Sequence, residues 1–121
     1  FEGPARTLGQ IGQWLKGPGS TVLVADDAGD VIGLAVLLTR PPSAFAGAVP
    51  RKVIELDNLV VRSDRRGFGI GERLLAETQR WSRTQGATHI EVGVHVFNSD
   101  ARRFYERYGF ARSIDRLMMV A

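Results

Sequence analysis

The chain has 121 residues, 44% of them hydrophobic and 24% charged, a composition typical of one soluble globular domain over residues 1–121. The absence of cysteine excludes disulfides, thiolate metal sites and a cysteine nucleophile. The formal net charge is +3. Residues 1–61 carry five Lys and Arg against six Asp and Glu, whereas residues 62–121 carry eleven against seven. The second half is therefore where an anionic ligand would bind, unless its arginines form only a solvated surface.

No apolar run approaches the roughly 18 residues of a membrane span, and no signal-peptide pattern occurs. We therefore expect a cytoplasmic protein without a membrane partner. Because the sequence begins at Phe1, a trimmed start with a lost targeting segment stays an open alternative.

Hydrophobic periodicity and turn residues predict the elements in chain order. A weak helix over residues 5–16 precedes a hairpin of strands 21–25 and 31–38, joined by an acidic turn, and a loop over 39–50. Strand 53–61 follows, apolar enough for burial on both faces, then a charged, glycine-rich turn over 62–71 and a helix over 72–85. Strand 89–97, a short helix capped by Asn98, Ser99 or Asp100, and strand 117–120 complete the chain. This order indicates an α/β fold, a mixed sheet with helices on both faces.

The turn over residues 62–71 has the composition of an anion site. Closely spaced glycines allow a tight backbone, and the first N–H groups of the following helix lack partners within it. The helix dipole is positive at this end, and Arg65 and Arg66 add charge, so a phosphate or pyrophosphate fits. The alternative is that the glycines serve only a sharp turn. Neither the dinucleotide fingerprint nor a P-loop matches, because Gly67, Gly69 and Gly71 are spaced by two and Glu72 follows them.

Two blocks of the sequence resemble one known family. The segment Arg66-Gly67-Phe68-Gly69-Ile70-Gly71 resembles the R-x-x-G-x-G acyl-CoA pyrophosphate motif of the GNAT superfamily of N-acetyltransferases. Residues 98–110 are similar to its closing motif, N-x-x-A-x-x-x-Y-E-x-x-G-F. One predicted helix and one predicted strand separate the blocks, and the resemblance covers about residues 52–110.

The resemblance implies a central, mostly antiparallel mixed sheet in which one parallel strand pair splays apart, here strands 53–61 and 89–97. Acetyl-CoA is the implied co-substrate in that splay, and no metal is implied. The first strand and helix of such a domain have no counterpart in this sequence, which predicts a shortened N-terminal side. The residues implied to bind acetyl-CoA are Leu59, Val60, Val61, Arg65, Arg66, Gly67, Phe68, Gly69, Ile70, Gly71, Asn98 and Arg102.

The same resemblance implies direct acyl transfer, which needs no cysteine. Tyr105 matches the family's general acid, and a phenol with a pKa near 10 can protonate a thiolate leaving group. The alternative is that Tyr105, beside Phe104 and Tyr108, is a core residue.

Glu55 and Asp57 are the candidates for the base that takes the amine proton. They lie two residues apart on one strand and so are predicted to share a face. The segment around them is similar to a strand of polyamine-type acetyltransferases, with Asp57 the nearer match to the acidic residue. The alternative is that one carboxylate pairs with an arginine or caps a bulge.

Together these residues predict an N-acetyltransferase that acts on the primary amine of a small cationic molecule. Two alternatives stay open: a protein amino group as acceptor, or a non-catalytic module that binds acyl-CoA. A homodimer is compatible with this interpretation. No nucleic-acid partner is expected, because the basic composition is not accompanied by a recognition motif.

Overall fold

The computed structural model describes residues 20–40, 52–114 and 116–121. Its elements, in chain order, are β1 (Thr21–Asp27), β2 (Asp30–Arg40), β3 (Val53–Val61), a single 3-10 turn (Ser63–Arg65), α1 (Ile70–Thr84), β4 (His89–Val92) and α2 (Ser99–Arg107). The helix predicted over 5–16 and most of the loop predicted over 39–50 lie outside the described residues.

The strands form one mixed sheet in the order β1-β2-β3-β4. The first three strands are antiparallel, and β3 pairs with β4 in parallel. A two-residue turn joins β1 to β2, with both Ala28 (φ 51°) and Gly29 (φ 95°) in the left-handed region that such a hairpin turn requires. The expected mostly antiparallel sheet with one parallel pair is thereby confirmed.

Helix α1 packs across one face of β1, β2 and β3. Its buried residues recur at helical spacing: Ile70, Leu74, Leu75, Thr78 and Ser82. The helix approaches β2 so closely that a Cβ on Gly33 would lie 3.1 Å from Leu74 Cδ1 and from the carbonyl oxygen of Val60. Burial of Leu37, Ile54 and Leu56 beneath α1 therefore fixes where the start of the helix lies relative to β3.

A β-bulge interrupts β3 at Asp57. Val36 lies opposite Asn58 and Leu37 lies opposite Leu56, so Asp57 has no partner on β2. Leu56 faces the core before the bulge, and Leu59 and Val61 pack against the core after it. The strict alternation assumed for this strand therefore fails at Asp57. Burial on both faces was also wrong, because Asp57, Asn58 and Val60 are exposed.

The parallel ladder ends at the same point. Its last pair is Leu56 with Val92, after which β3 continues to Val61 beside β2 alone. The strand predicted over 89–97 is therefore shorter than expected and ends at Val92, and residues 93–97 join no strand of the described chain. The splay that the resemblance implies is present immediately after the bulge.

The strand predicted over 117–120 was wrong. Residues 116–121 form no strand, and Leu117, Met118, Met119 and Val120 are each at least 90% exposed. An apolar segment forms a strand only when it pairs with the edge of a sheet. In the described part of the chain, no sheet edge pairs with residues 117–120.

Candidate active site

The turn before α1 needs two of its three glycines for their backbone conformation. Gly67 (φ 86°) and Gly69 (φ 80°) are in the left-handed region, where a side chain would be strained. Gly71 has no such conformation, and a Cβ there would meet Phe104 Cζ at 3.4 Å. The first two glycines therefore shape the turn, while the third admits the aromatic ring of α2.

The first turn of α1 presents unpaired backbone donors. Its first internal hydrogen bond runs from the Arg73 N–H to the Gly69 oxygen at 3.1 Å. No side chain caps the helix, so the N–H groups of residues 70–72 have no partner within it. With the positive end of the helix dipole, these donors make a site that favours a phosphate group.

The free edge of β3 lies beside that turn. The Arg62 N–H donates to the Ile32 oxygen on β2 at 2.8 Å, and the Val60 oxygen also lies against β2. Since backbone groups alternate along a strand, those of Leu59 and Val61 point to the opposite edge, where the parallel ladder has ended. Leu59 and Val61 thus present backbone groups to the splay, whereas the backbone oxygen of Val60, also predicted to bind acetyl-CoA, is turned away from it.

The arginines of the turn have different partners. Arg66 is exposed, and its Nε donates to the Val61 oxygen at 3.2 Å. Arg62 pairs with Asp64 within the turn. Arg65 instead donates to Asp27 Oδ2, at the end of β1, at 2.6 Å. The sequence pattern that grouped Arg65 with Arg66 as ligand-binding charges did not reveal this ion pair with the hairpin.

Helix α2, which carries Tyr105, packs against the start of α1 through Phe104. Asn98 caps α2, its Oδ1 accepting the Ala101 N–H at 3.2 Å, and Phe104 reaches Gly71. Tyr105 is half-buried, with its ring centroid 5.3 Å from those of Phe104 and Phe110. Burial raises the pKa of the Tyr105 phenol above its ordinary value, so the hydroxyl carries its proton at neutral pH.

One further neighbour across the two helices was invisible in the sequence pattern. Partial desolvation and the Glu72 carboxylate on α1 both raise the pKa of Tyr108 on α2. Arg102, on the same helix, is half-buried. The start of α1 and the helix of Tyr105 are held together by the packing of Phe104 against Gly71.

The two carboxylates of β3 have different surroundings. Glu55 accepts a hydrogen bond from Arg40 Nε at the end of β2. Asp57 is exposed in the bulge and has no ion pair with another described residue. The sequence left two alternatives to a catalytic role, an ion pair with an arginine or a place at a bulge. Glu55 has the first of these and Asp57 the second.

Among the residues that the structure describes, no cluster of three or more His, Asp or Glu side chains could hold a metal ion. Within the same residues, none of the helices combines the length and apolarity needed to cross a membrane.

The mixed sheet, the splay of its parallel pair, the glycine turn and the half-buried Tyr105 together define the class of the protein as an acetyltransferase fold, and comparisons with known proteins give the family. The model described as "Acetyltransferase (GNAT) family" matches residues 2–110. The chain belongs to this family.

Individual relatives agree with this assignment, and a solved structure agrees with the fold. N-acetyltransferase 8 of Rattus norvegicus is 29% identical over 107 residues, covering 87% of this chain and 46% of the relative. Aminoalkylphosphonate N-acetyltransferase of Salmonella typhimurium is 39% identical over 59 residues, covering 49% of this chain and 38% of the relative. The solved structure of the aminoglycoside N-acetyltransferase AAC(6')-Iy in complex with CoA superposes with a TM-score of 0.75 at 21% identity, covering 93% of this chain and 80% of that one. The chain thus spans less than half the length of these two relatives.

Proposed function

We propose that the protein is an acetyl-CoA-dependent N-acetyltransferase that acts on a primary amine of a small cationic molecule. The observations that carry the proposal are the open start of α1, the edge of β3 that is free beyond Leu56, and the packing of α2, which carries the protonated Tyr105, against Gly71 through Phe104. Because the chain spans less than half the length of these curated relatives, the activity of the whole protein is a proposal.

The residues present fit the CoA moiety. Its pyrophosphate matches the unpaired N–H groups of residues 70–72 and the exposed Arg66. Its pantetheine arm carries amides, which the strand-like backbone groups of Leu59 and Val61 can hydrogen-bond at the free edge. Asn98 and Arg102, at the start of α2, are the side chains proposed to contact this arm.

Bound acetyl-CoA supplies a thioester carbonyl that a neutral amine can attack, with the thiolate as leaving group. Tyr105 holds its phenolic proton at neutral pH and gives it to the departing sulfur. Asp57 accepts the proton that the acceptor ammonium must lose, directly or through water. The nitrogen loses two protons on going from ammonium to amide: Asp57 accepts the first before attack, and the second returns, directly or through water, to the Tyr105 phenol that has protonated the thiolate. The net products are the N-acetyl amine, the free thiol and one proton.

Two observations support a cationic small molecule as acceptor. The exposed carboxylate of Asp57 lies at the bulge where the splay begins and would attract an ammonium group. The Salmonella relative is named for aminoalkylphosphonate acetylation and AAC(6')-Iy for aminoglycosides. Both classes are small amines, and the aminoglycosides are the cationic one, because a phosphonate is an anion at neutral pH.

The decisive experiment measures thiol release from acetyl-CoA with a panel of small polyamines, aminoalkylphosphonates, aminoglycosides and lysine-containing peptides. Turnover with small cationic amines is expected. Turnover with peptides alone would shift the acceptor to a protein amino group. Acetyl-CoA binding without turnover on any amine would favour a non-catalytic module. A homodimer, a cytoplasmic location and a single domain over residues 1–121 remain predictions.

A further inference from the structure

The acidic end of the β1–β2 hairpin faces the basic turn that precedes α1. Asp27 Oδ2 and Arg65 Nη1 are 2.6 Å apart, although 38 residues separate them in the sequence. Arg65 belongs to the 3-10 turn immediately before the Arg66–Gly67 step. The ion pair therefore joins the outer end of the sheet to the backbone whose conformation sets the anion site.

We propose that Asp27 is a positioning residue: through Arg65 it holds the turn over residues 62–69 in the conformation that binds the CoA pyrophosphate, and Arg65 acts as a strut and not as a phosphate ligand. The expected effect on CoA affinity rests on the proposed function, whereas the expected effect on the backbone mobility of residues 62–69 does not.

Three observations support the strut. The guanidinium of Arg65 already has the Asp27 carboxylate as its partner, and the hydrogen bond from Arg65 lowers the pKa of Asp27, so the pair is charged at neutral pH. Both side chains are only about one-third exposed, at 33% and 37%. The turn also contains two left-handed glycines, Gly67 and Gly69. Because glycine is conformationally free, a contact from outside the turn is needed to hold one backbone conformation. A second tie, from the Arg62 N–H to the Ile32 oxygen, anchors only the start of the turn.

The test compares Asp27→Asn, Arg65→Gln and the double variant. Amide hydrogen exchange of residues 62–69 is measured without ligand, and the Kd for CoA is measured by calorimetry. The strut predicts faster exchange in both single variants, a Kd raised about two- to fivefold in each, the range of a partly exposed ion pair, and no further rise in the double variant. Arg65→Lys should recover part of the wild-type behaviour, because a lysine can still reach a carboxylate as a point charge.

Asp30→Asn is the matched control. It removes the same charge from the same hairpin, but Asp30 acts on Arg62 only through longer-range attraction. Exchange and Kd should match the wild type.

Several results would overturn the proposal. Unchanged amide exchange of residues 62–69 in Asp27→Asn would show that Asp27 does not hold the turn. A large rise in Kd for Arg65→Gln, about tenfold or more, with none for Asp27→Asn, would make Arg65 a phosphate ligand. If the wild-type protein binds no CoA, the proposed function fails, but faster exchange in Asp27→Asn would still support the tie between hairpin and turn.

Discussion

Tyr105 shows how its surroundings prepare one side chain for chemistry. Its ring packs against Phe104 and Phe110, and the resulting loss of water disfavours the phenolate. Core packing and the role of general acid, which sequence reasoning set against each other, are therefore compatible: the packing keeps the proton on the oxygen.

Tyr105→Phe keeps the ring contacts and removes only the hydroxyl. We expect kcat to fall about 100-fold or more, because the proposed donor of the leaving-group proton is lost, with the CoA Kd and the melting temperature unchanged. Steady-state kinetics and thermal unfolding measure these quantities. Tyr108→Phe, a second phenol on the same helix, is the control and should keep its kcat. An undiminished kcat in Tyr105→Phe would rule out the acid role.

The direction of the Tyr105 pKa shift also predicts a pH dependence. Because burial raises this pKa above the ordinary value of 10.0, the acid form is fully present at lower pH and is lost as pH rises through the raised pKa. On its alkaline side, we expect the kcat profile of the wild type to fall only above pH 10, with folding followed by circular dichroism. A tyrosine-dependent fall well below that pH, absent in Tyr105→Phe, would contradict the shift.

The two carboxylates of β3 give a second prediction for single residues. Asp57→Asn should lower kcat/KM for the amine about 100-fold, because the ammonium proton loses its acceptor. Glu55→Gln is the matched control on the same strand and should stay within a few-fold, because Glu55 is engaged by Arg40. The opposite ranking in amine kinetics would assign the base to Glu55.

At the level of elements, the start of α1 combines two kinds of glycine. Gly67 and Gly69 are needed for a left-handed backbone, whereas Gly71 lies inside the helix beneath Phe104. The repeated spacing of these glycines in the sequence conceals this difference.

Alanine substitutions should separate the two kinds. Gly69→Ala is expected to cost about 1 to 2 kcal/mol of unfolding free energy and to weaken CoA binding, because a Cβ strains the left-handed cap. Gly71→Ala should be neutral or stabilising by up to about 1 kcal/mol, since its Cβ meets Phe104 at an ordinary contact distance and alanine favours a helix. Urea unfolding and calorimetry with CoA measure both effects. An equal loss of CoA affinity in the two variants would mean that Gly71 also approaches the ligand.

At the level of the whole molecule, the excess of positive charge in residues 62–121 is reduced locally by ion pairs. Arg62, Arg65, Arg80 and Arg103 each have a carboxylate partner. Arg66 is exposed beside the open start of α1 and hydrogen-bonds a carbonyl oxygen only. Of the three arginines in the turn before α1, Arg66 is therefore the one whose charge is available to an anionic ligand, and its exposed charge is accessible to salt.

Exposed charges of this kind are screened by salt over about 8 Å at physiological ionic strength. We expect the Kd for acetyl-CoA to rise several-fold between about 50 and about 300 mM salt, when binding is measured by calorimetry. Acetyl-pantetheine, which lacks the pyrophosphate, is the control and should show little salt dependence. A Kd for acetyl-CoA that is independent of salt would indicate that the helix N-terminus binds the phosphates without help from the arginines.

Much of the fold could be predicted from local sequence. Strand β3 was placed correctly, the hairpin and both helices were placed within a few residues, and Asn98 was identified among the possible caps. The errors occurred where a strand depends on a partner: β4 ends at Val92, and residues 117–120 pair with nothing in the described chain. Strand pairing is decided between segments far apart in the sequence, so periodicity alone could not reveal it.

The sequence by itself determined the glycine turn, the helix that follows it and the two motif blocks, because backbone conformation, capping and helical periodicity depend on neighbouring residues. Only the tertiary structure decided where β3 and β4 separate, that Arg65 is held by Asp27, and that Arg40 engages Glu55 while Asp57 is left exposed. The physical reason is that a bulge shifts the register between strands, and ion pairs join residues that only the folded sheet brings together.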